Sequence, residues 1–189
     1  MLTKTELINK IWSQENKYSL QAIEEMRVRN WLSDGSLRSV AFCQAQLQDA
    51  DLSKADLCDV DFHQACLDYS NLSEAKLNSA KLRRASLQGV NFDHADLTFA
   101  DLHKANLRGA RNLCEQQLAS VRHLFGAILP NGRPYDGRYN LPGDLAQAQW
   151  AKVNTDNPQA MADFYGVSID TYLAGQKEAA SQGKNEAAA

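Results

Sequence analysis

Residues 45–59 read Ala45-Gln46-Leu47-Gln48-Asp49, Ala50-Asp51-Leu52-Ser53-Lys54 and Ala55-Asp56-Leu57-Cys58-Asp59. A small residue, a polar residue and a leucine return every five positions. Followed in both directions, the large apolar position runs without a miss through Leu37, Phe42, Leu47, Leu52, Leu57, Phe62, Leu67, Leu72, Leu77, Leu82, Leu87, Phe92, Leu97, Leu102 and Leu107. Two residues before these stand ten Ala, three Val, Ser70 and Gly35. A period of five suits neither common element. On a helix it advances about 140° beyond a full turn, which smears the leucines around the axis. In a flat strand it alternates between faces. A chain that bends after each short extended piece and coils around its own core places all of them inside. Within a unit the two apolar positions lie two apart, as in a strand, so both point inward and the residues between pairs face water. A fixed internal period is the mark of a solenoid.

Side-chain sizes fit this shape. Val40, Val60 and Val90 each precede a phenylalanine (Phe42, Phe62 and Phe92), so the larger residues share units, as co-adjusted packing requires. Between the two inward positions lies Asp or Asn in eight units: Asp51, Asp56, Asp61, Asn71, Asn91, Asp96, Asp101 and Asn106. Their short polar side chains are suited to bond nearby backbone at a bend.

The stretches Ala50–Lys54, Ala55–Asp59 and Ala105-Asn106-Leu107-Arg108-Gly109 resemble the pentapeptide-repeat family. The resemblance implies an all-β solenoid core, a right-handed quadrilateral β-helix with four units per coil, and hence about four coils. Residues twenty apart then stack, at about 4.8 Å per coil. The charges fit that register. Lys76 falls between Asp56 and Asp96, and Lys81 between Asp61 and Asp101. Both columns alternate in sign, as cross-strand pairs should, which gives these carboxylates a structural rather than a catalytic role.

The ends of the chain read as helical caps. Residues 1–34 form an N-terminal cap of two helices. The first opens with the capping-box pattern Thr3-Lys4-Thr5-Glu6; the second is expected to be capped by Ser19, with Leu20, Ile23, Met26 and Trp31 on one face. The repeat domain spans 35–112. A helical C-terminal region spans 113–173. It begins with a short helix from Leu113 to Leu124, rejoins the coil as one unit near 127–129, and continues in helices near 144–152, 158–165 and 168–173. Residues 174–189 read as a flexible tail. An open coil end needs a cover, which is the expected job of the first helices.

The 189-residue chain carries a formal net charge of −3. Such a weak bias favours neither nucleic acid nor anionic membranes as partners. The N-terminal residues lack a signal-peptide pattern, and no apolar run reaches the length of a membrane span, so a soluble cytoplasmic protein is expected. Cys43, Cys58, Cys66 and Cys114 lack metal or redox spacing and read as free thiols. His63 and His103 share one side of the coil but lie two coils apart, too far for a common metal, and His94 and His123 fall elsewhere. All four read as solvated surface histidines. No catalytic set, metal site or cofactor motif is found, so an enzyme is not expected.

One surface stripe stands out. On the side that begins with Phe42, Arg83, Arg84, His103 and Lys104 form a basic patch suited to an acidic protein surface, unless the terminal helices cover it. The function expected is therefore a non-catalytic interaction or scaffold module whose protein partner is unknown. The alternative is drawn from a different class: some members of the family mimic a DNA duplex and modulate DNA gyrase, as quinolone-resistance proteins do. Mimicry needs a continuous negative surface, which the bases after residue 75 interrupt. Trp150, Phe164, Tyr165 and Tyr172 at the C-terminal end are suited either to a cap or to a homodimer contact.

Overall fold

A computed structural model of the chain describes residues 2–12 and 15–186. Its centre is a coil of twenty residues per turn. Parallel backbone bridges pair Ala41 with Asp61, Asp56 with Lys76, Lys81 with Asp101, and so on to Asn91 with Arg111. The large apolar residue of every unit from Leu37 to Leu107 is buried, and most of the small residues two before it are buried as well. Large and small inward positions fill one continuous core. Phe42 stacks on Phe62 one coil on, with ring centroids 5.8 Å apart.

The corners follow from local chemistry. In each unit the carbonyl of the large residue accepts from the amide three residues on, as Phe42 does from Ala45 at 3.1 Å. The residue before the closing one is left-handed, as a type II turn requires. Gln44, Lys54, Tyr69, Ser79, Arg84 and Phe99 all have φ between 57° and 61°. The Asp or Asn residues do what their position suggests. The carboxylate of Asp61 accepts from the His63 amide at 2.9 Å, Asp96 from Thr98 at 3.0 Å, Asp101 from His103 at 3.0 Å and Asn106 from Arg108 at 3.2 Å.

The expected all-β core is met in part, by isolated bridges rather than strands. Each unit contributes one bridge and then turns, so among the described residues no run of pairing lengthens into a strand. Corners every five residues leave no room for one. Six helices accompany the coil among the described residues.

At the N-terminal end, α1 (Lys4–Ile11) and α2 (Asn16–Val28) form a hairpin. Thr3 caps α1 in the expected box with Glu6. Ser19 does not cap α2: Glu15 holds the cap position, and Ser19 is buried inside the helix with its hydroxyl donating to the Ile11 carbonyl at 3.2 Å. The hairpin lies on the first coil. Leu7, Ile11, Ile23 and Met26 join the coil core, and the Asp56 amide donates to the Leu32 carbonyl at 2.8 Å.

At the other end the helix expected over 113–124 is only α3 (Glu115–Ser120). It loops out, and the chain returns to the coil at Val121, one unit earlier than expected. Val121 and Leu124 are buried, and His123 bridges Asp101. Ile128 then bridges Asn106 and also pairs antiparallel with Pro134 on the outer side of the last coil. Beyond lie α4 (Pro142–Trp150), α5 (Pro158–Tyr165, closed by left-handed Gly166) and α6 (Ile169–Glu186). The segment from residue 174, expected as a flexible tail, continues α6 as far as Glu186; the last residues of that expected tail, 187–189, lie outside the described residues. Among the described residues, no helix is long and apolar enough to cross a membrane.

Candidate functional site

The stripe Arg83, Arg84, His103 and Lys104 divides in two. Arg83 and Arg84 are exposed at one corner, and the Arg84 side chain makes no ion pair or hydrogen bond among the described residues. Arg83 reaches the Asp101 carboxylate at 3.8 Å, longer than a charge-assisted hydrogen bond. Lys104 is exposed, its stem lying over Gly126, where a Cβ would meet its Cγ at 2.9 Å. His103 is not a contact residue. It is buried at 6% exposure between the rings of His123, 4.9 Å away, and Phe125, 5.8 Å away. Phe125 in turn packs on Phe164 of α5 at 4.5 Å and on Tyr165 at 5.9 Å. The returning chain, backed by α5, therefore covers His103 and leaves Lys104 exposed.

The reading of His103 and His123 as solvated surface residues is overturned in the same place. His123 lies between two carboxylates. Its Nδ1 is 3.5 Å from Asp101 and its Nε2 is 3.2 Å from Asp144. Asp144, in the first turn of α4, is fully buried, and its Oδ1 accepts from the amides of Leu124 and Phe125 at 3.1 and 2.9 Å. This carboxylate ties α4 to the last coil. Its Oδ2, the Nδ1 of His103 and the Tyr165 hydroxyl have no hydrogen-bond partner among the described residues. Burial drives the Asp144 carboxyl up to about 6, against the pull of His123 and the two amides. Burial, with His123 and Arg83 nearby, takes the His103 imidazole down to about 4. Burial also works on Asp101, but its bonds from His123 and the His103 amide outweigh it and hold the carboxyl below the usual range. The sequence offered one signal for this cluster, the recurrence of an inward pattern after residue 121. The two extra residues in the α3 loop hid it: the step from Asp101 to His123 is 22 rather than 20.

The charge columns align as the twenty-residue register demands, yet the ions are mostly paired elsewhere. Lys81 is 4.0 Å from Asp61. Asp56 is instead held by Arg38 at 2.9 Å, Asp96 accepts from Asn78 at 2.6 Å, and Lys76 makes no ion pair among the described residues. Among the described residues, no group of three or more His, Cys, Asp or Glu side chains is placed to hold a metal ion. The four cysteines are free thiols.

The repeat is also what known proteins share with this chain. The family profile described as pentapeptide repeats matches residues 36–73 and 70–109, in 8 copies. A solved pentapeptide repeat protein from Nostoc is 30% identical over 58% of this chain and 74% of its own, with a TM-score of 0.32. The chain belongs to the pentapeptide-repeat family. A pentapeptide repeat protein of the Arabidopsis thaliana thylakoid lumen is 27% identical over 49% of this chain and 60% of its own, with a TM-score of 0.41. Rfr23, from the cyanobacterium Cyanothece, is 32% identical over 48% of this chain and 64% of its own, with a TM-score of 0.38. This chain thus spans less than two thirds of the length of the last two. The likeness rests on the repeat sequence rather than on overall superposition. No curated protein matches the chain.

Proposed function

We propose that this pentapeptide-repeat protein is a non-catalytic interaction module. Its core is read as a right-handed quadrilateral β-helix, and its corners carry the contacts. The observation that carries this reading is the pair Arg83 and Arg84, exposed side by side on the coil, with the Arg84 side chain unpaired among the described residues. Repeat solenoids work through such surfaces. The contact patch keeps Arg83, Arg84 and Lys104 and loses His103. Free thiols at exposed Cys43 and Cys114 suit a reducing compartment such as the cytoplasm. A homodimer through the C-terminal region has less to build on: Phe164, Tyr165 and Tyr172 pack internally, and Trp150, 86% exposed, remains. Modulation of DNA gyrase by mimicry ranks lower, because Lys76 and Lys81 sit within the acidic columns and break the negative surface that mimicry needs. Charge reversal at Arg83 and Arg84 is expected to weaken recovery of a protein partner in pull-downs. Unchanged recovery, or strong inhibition of gyrase supercoiling at low micromolar protein, overturns the proposal.

A further inference from the structure

Beside the buried histidine cluster, the coil and the start of α4 enclose a cleft of about 500 Å³. Its walls come from three levels of the fold. Lys81 and Arg83 stand on one coil, Phe99 and Asp101 on the next, and Arg122 on the returning chain, with Pro142 of α4 opposite. Three cationic side chains thus meet one carboxylate. That carboxylate does not satisfy them. Asp101 is engaged by His123 and the His103 amide and meets Arg83 only at 3.8 Å. Lys81 has only the 4.0 Å approach to Asp61, and the Arg122 side chain makes no ion pair or hydrogen bond among the described residues. A guanidinium offers a fork of donors that matches a carboxylate in two parallel bonds, and two such forks here lack that partner.

Phe99 supplies the second observation. It occupies a left-handed corner, φ 59°, where β-branched and bulky side chains are unusual and most units carry a polar residue or glycine. Its ring is 62% exposed and packs no core. The coil therefore holds an aromatic surface in water at the rim of a cationic cleft. A nucleic acid strand would need a track of cations following its phosphates, whereas the repeat domain as a whole is close to neutral. We propose that this cleft docks an acidic peptide segment of a partner protein, with a carboxylate between Arg83 and Arg122 and an apolar side chain against Phe99. The proposal rests on the interaction-module reading and shares Arg83 with its contact patch.

The test is a titration of the isotope-labelled full chain, followed by amide NMR, with the capped tripeptide Glu-Phe-Glu, its Gln-Phe-Gln counterpart and oligothymidylate as probes. Glu-Phe-Glu is expected to give saturable shifts confined to the cleft residues. Its affinity should fall about ten-fold in the Arg83→Gln/Arg122→Gln variant, as loss of two charge-assisted contacts implies. Phe99→Ser should weaken it by a smaller factor, while Lys54→Glu, at a remote corner, changes nothing. All these positions are exposed, and thermal melting checks that each variant folds. Shifts that are absent, scattered over remote corners, equal for Gln-Phe-Gln or stronger for oligothymidylate overturn the proposal. Capture from native lysate separates it from the broader reading. A partner held equally by wild type and the double variant leaves the module standing and removes the cleft. Peptide binding without any captured partner keeps the cleft and removes the module.

Discussion

The middle coils and the last coil are built from the same inward pattern, yet they behave as different structures. From Ala41 to Arg111 every bridge spans twenty residues, and two of the four columns, Asp56–Lys76–Asp96 and Asp61–Lys81–Asp101, alternate in charge. After α3 the step becomes 22, and the columns receive residues that the rhythm did not place there. His123 falls against Asp101, and Phe125 lies over His103. The middle coils hold themselves by repetition of identical contacts. The last coil is held by contacts made once: Asp144 on two amides, His123 between two carboxylates, and a cluster of rings from α5. Periodic sequence builds a uniform core, and a two-residue slip is enough to turn its final turn into a docking floor for helices.

The largest expected effect comes from breaking the uniform part. Leu77 is fully buried in the middle coils, and Leu77→Ala should cost about 2–5 kcal/mol by cavity formation, read by urea unfolding of the whole chain. A cost confined to one end would show that the coils are not one cooperative unit. The clasp of the last coil comes next. Asp144→Ala strands the amides of Leu124 and Phe125, at about 1–3 kcal/mol for each group left unpaired. Hydrogen exchange should then quicken over 121–129 and α4, while amides between Leu52 and Leu87 keep their protection. If exchange quickens equally throughout, the two regions are not distinct.

The third effect depends on pH. The His103 imidazole sits near 4 in the fold against an ordinary 6.5, so the unfolded chain binds the proton first. Its stabilising contribution is complete above pH 6.5 and lost as pH falls towards 4. Asp144, raised to about 6, works in the opposite direction: its contribution is fullest when protonated and is lost as pH rises through 6. The difference between wild type and His103→Gln isolates the histidine. Melting temperatures of the two should converge between pH 6.5 and 4, and parallel curves would refute the burial argument. The smallest effect belongs to the charge columns. Lys76 makes no ion pair among the described residues, so Lys76→Gln should change stability by less than about 0.5 kcal/mol in the same urea experiment. A larger loss would restore the ladder as a source of stability.

The core positions from Leu37 to Leu107 were readable because each inward residue is dictated by geometry that recurs at a fixed interval. The same holds for the eight Asp and Asn residues at the bends and for the Thr3–Glu6 cap, where a few local atoms decide the outcome. What escaped the sequence involves partners set by loop length. Ser19 looked like a helix cap, but burial against Ile11 gave its hydroxyl a different acceptor. His103 looked exposed because nothing in its own unit shows that Phe125, His123 and α5 will cover it. The cation cleft was half visible in Arg83. Arg122 and Pro142 reach it only through the unpredicted return of the chain at Val121. The ion pairs escaped too, since twenty-residue stacking fixes columns of backbone and leaves long side chains free to find nearer partners, as Asp56 does in Arg38.

Pro134 carries a consequence of its own. Every coil is a template on which an identical coil can form, so a molecule of this kind risks growing by recruiting its neighbours. The outer side of the last coil is covered by the short return through Arg133, Pro134 and Tyr135. There the Arg133 carbonyl and the Tyr135 amide bond inward, to Leu129 and Ala127. The outward donor of that return belongs to the residue between them, and proline has no N–H to give. On this side of the last coil, the outer edge therefore lacks one donor that a further coil would need to dock.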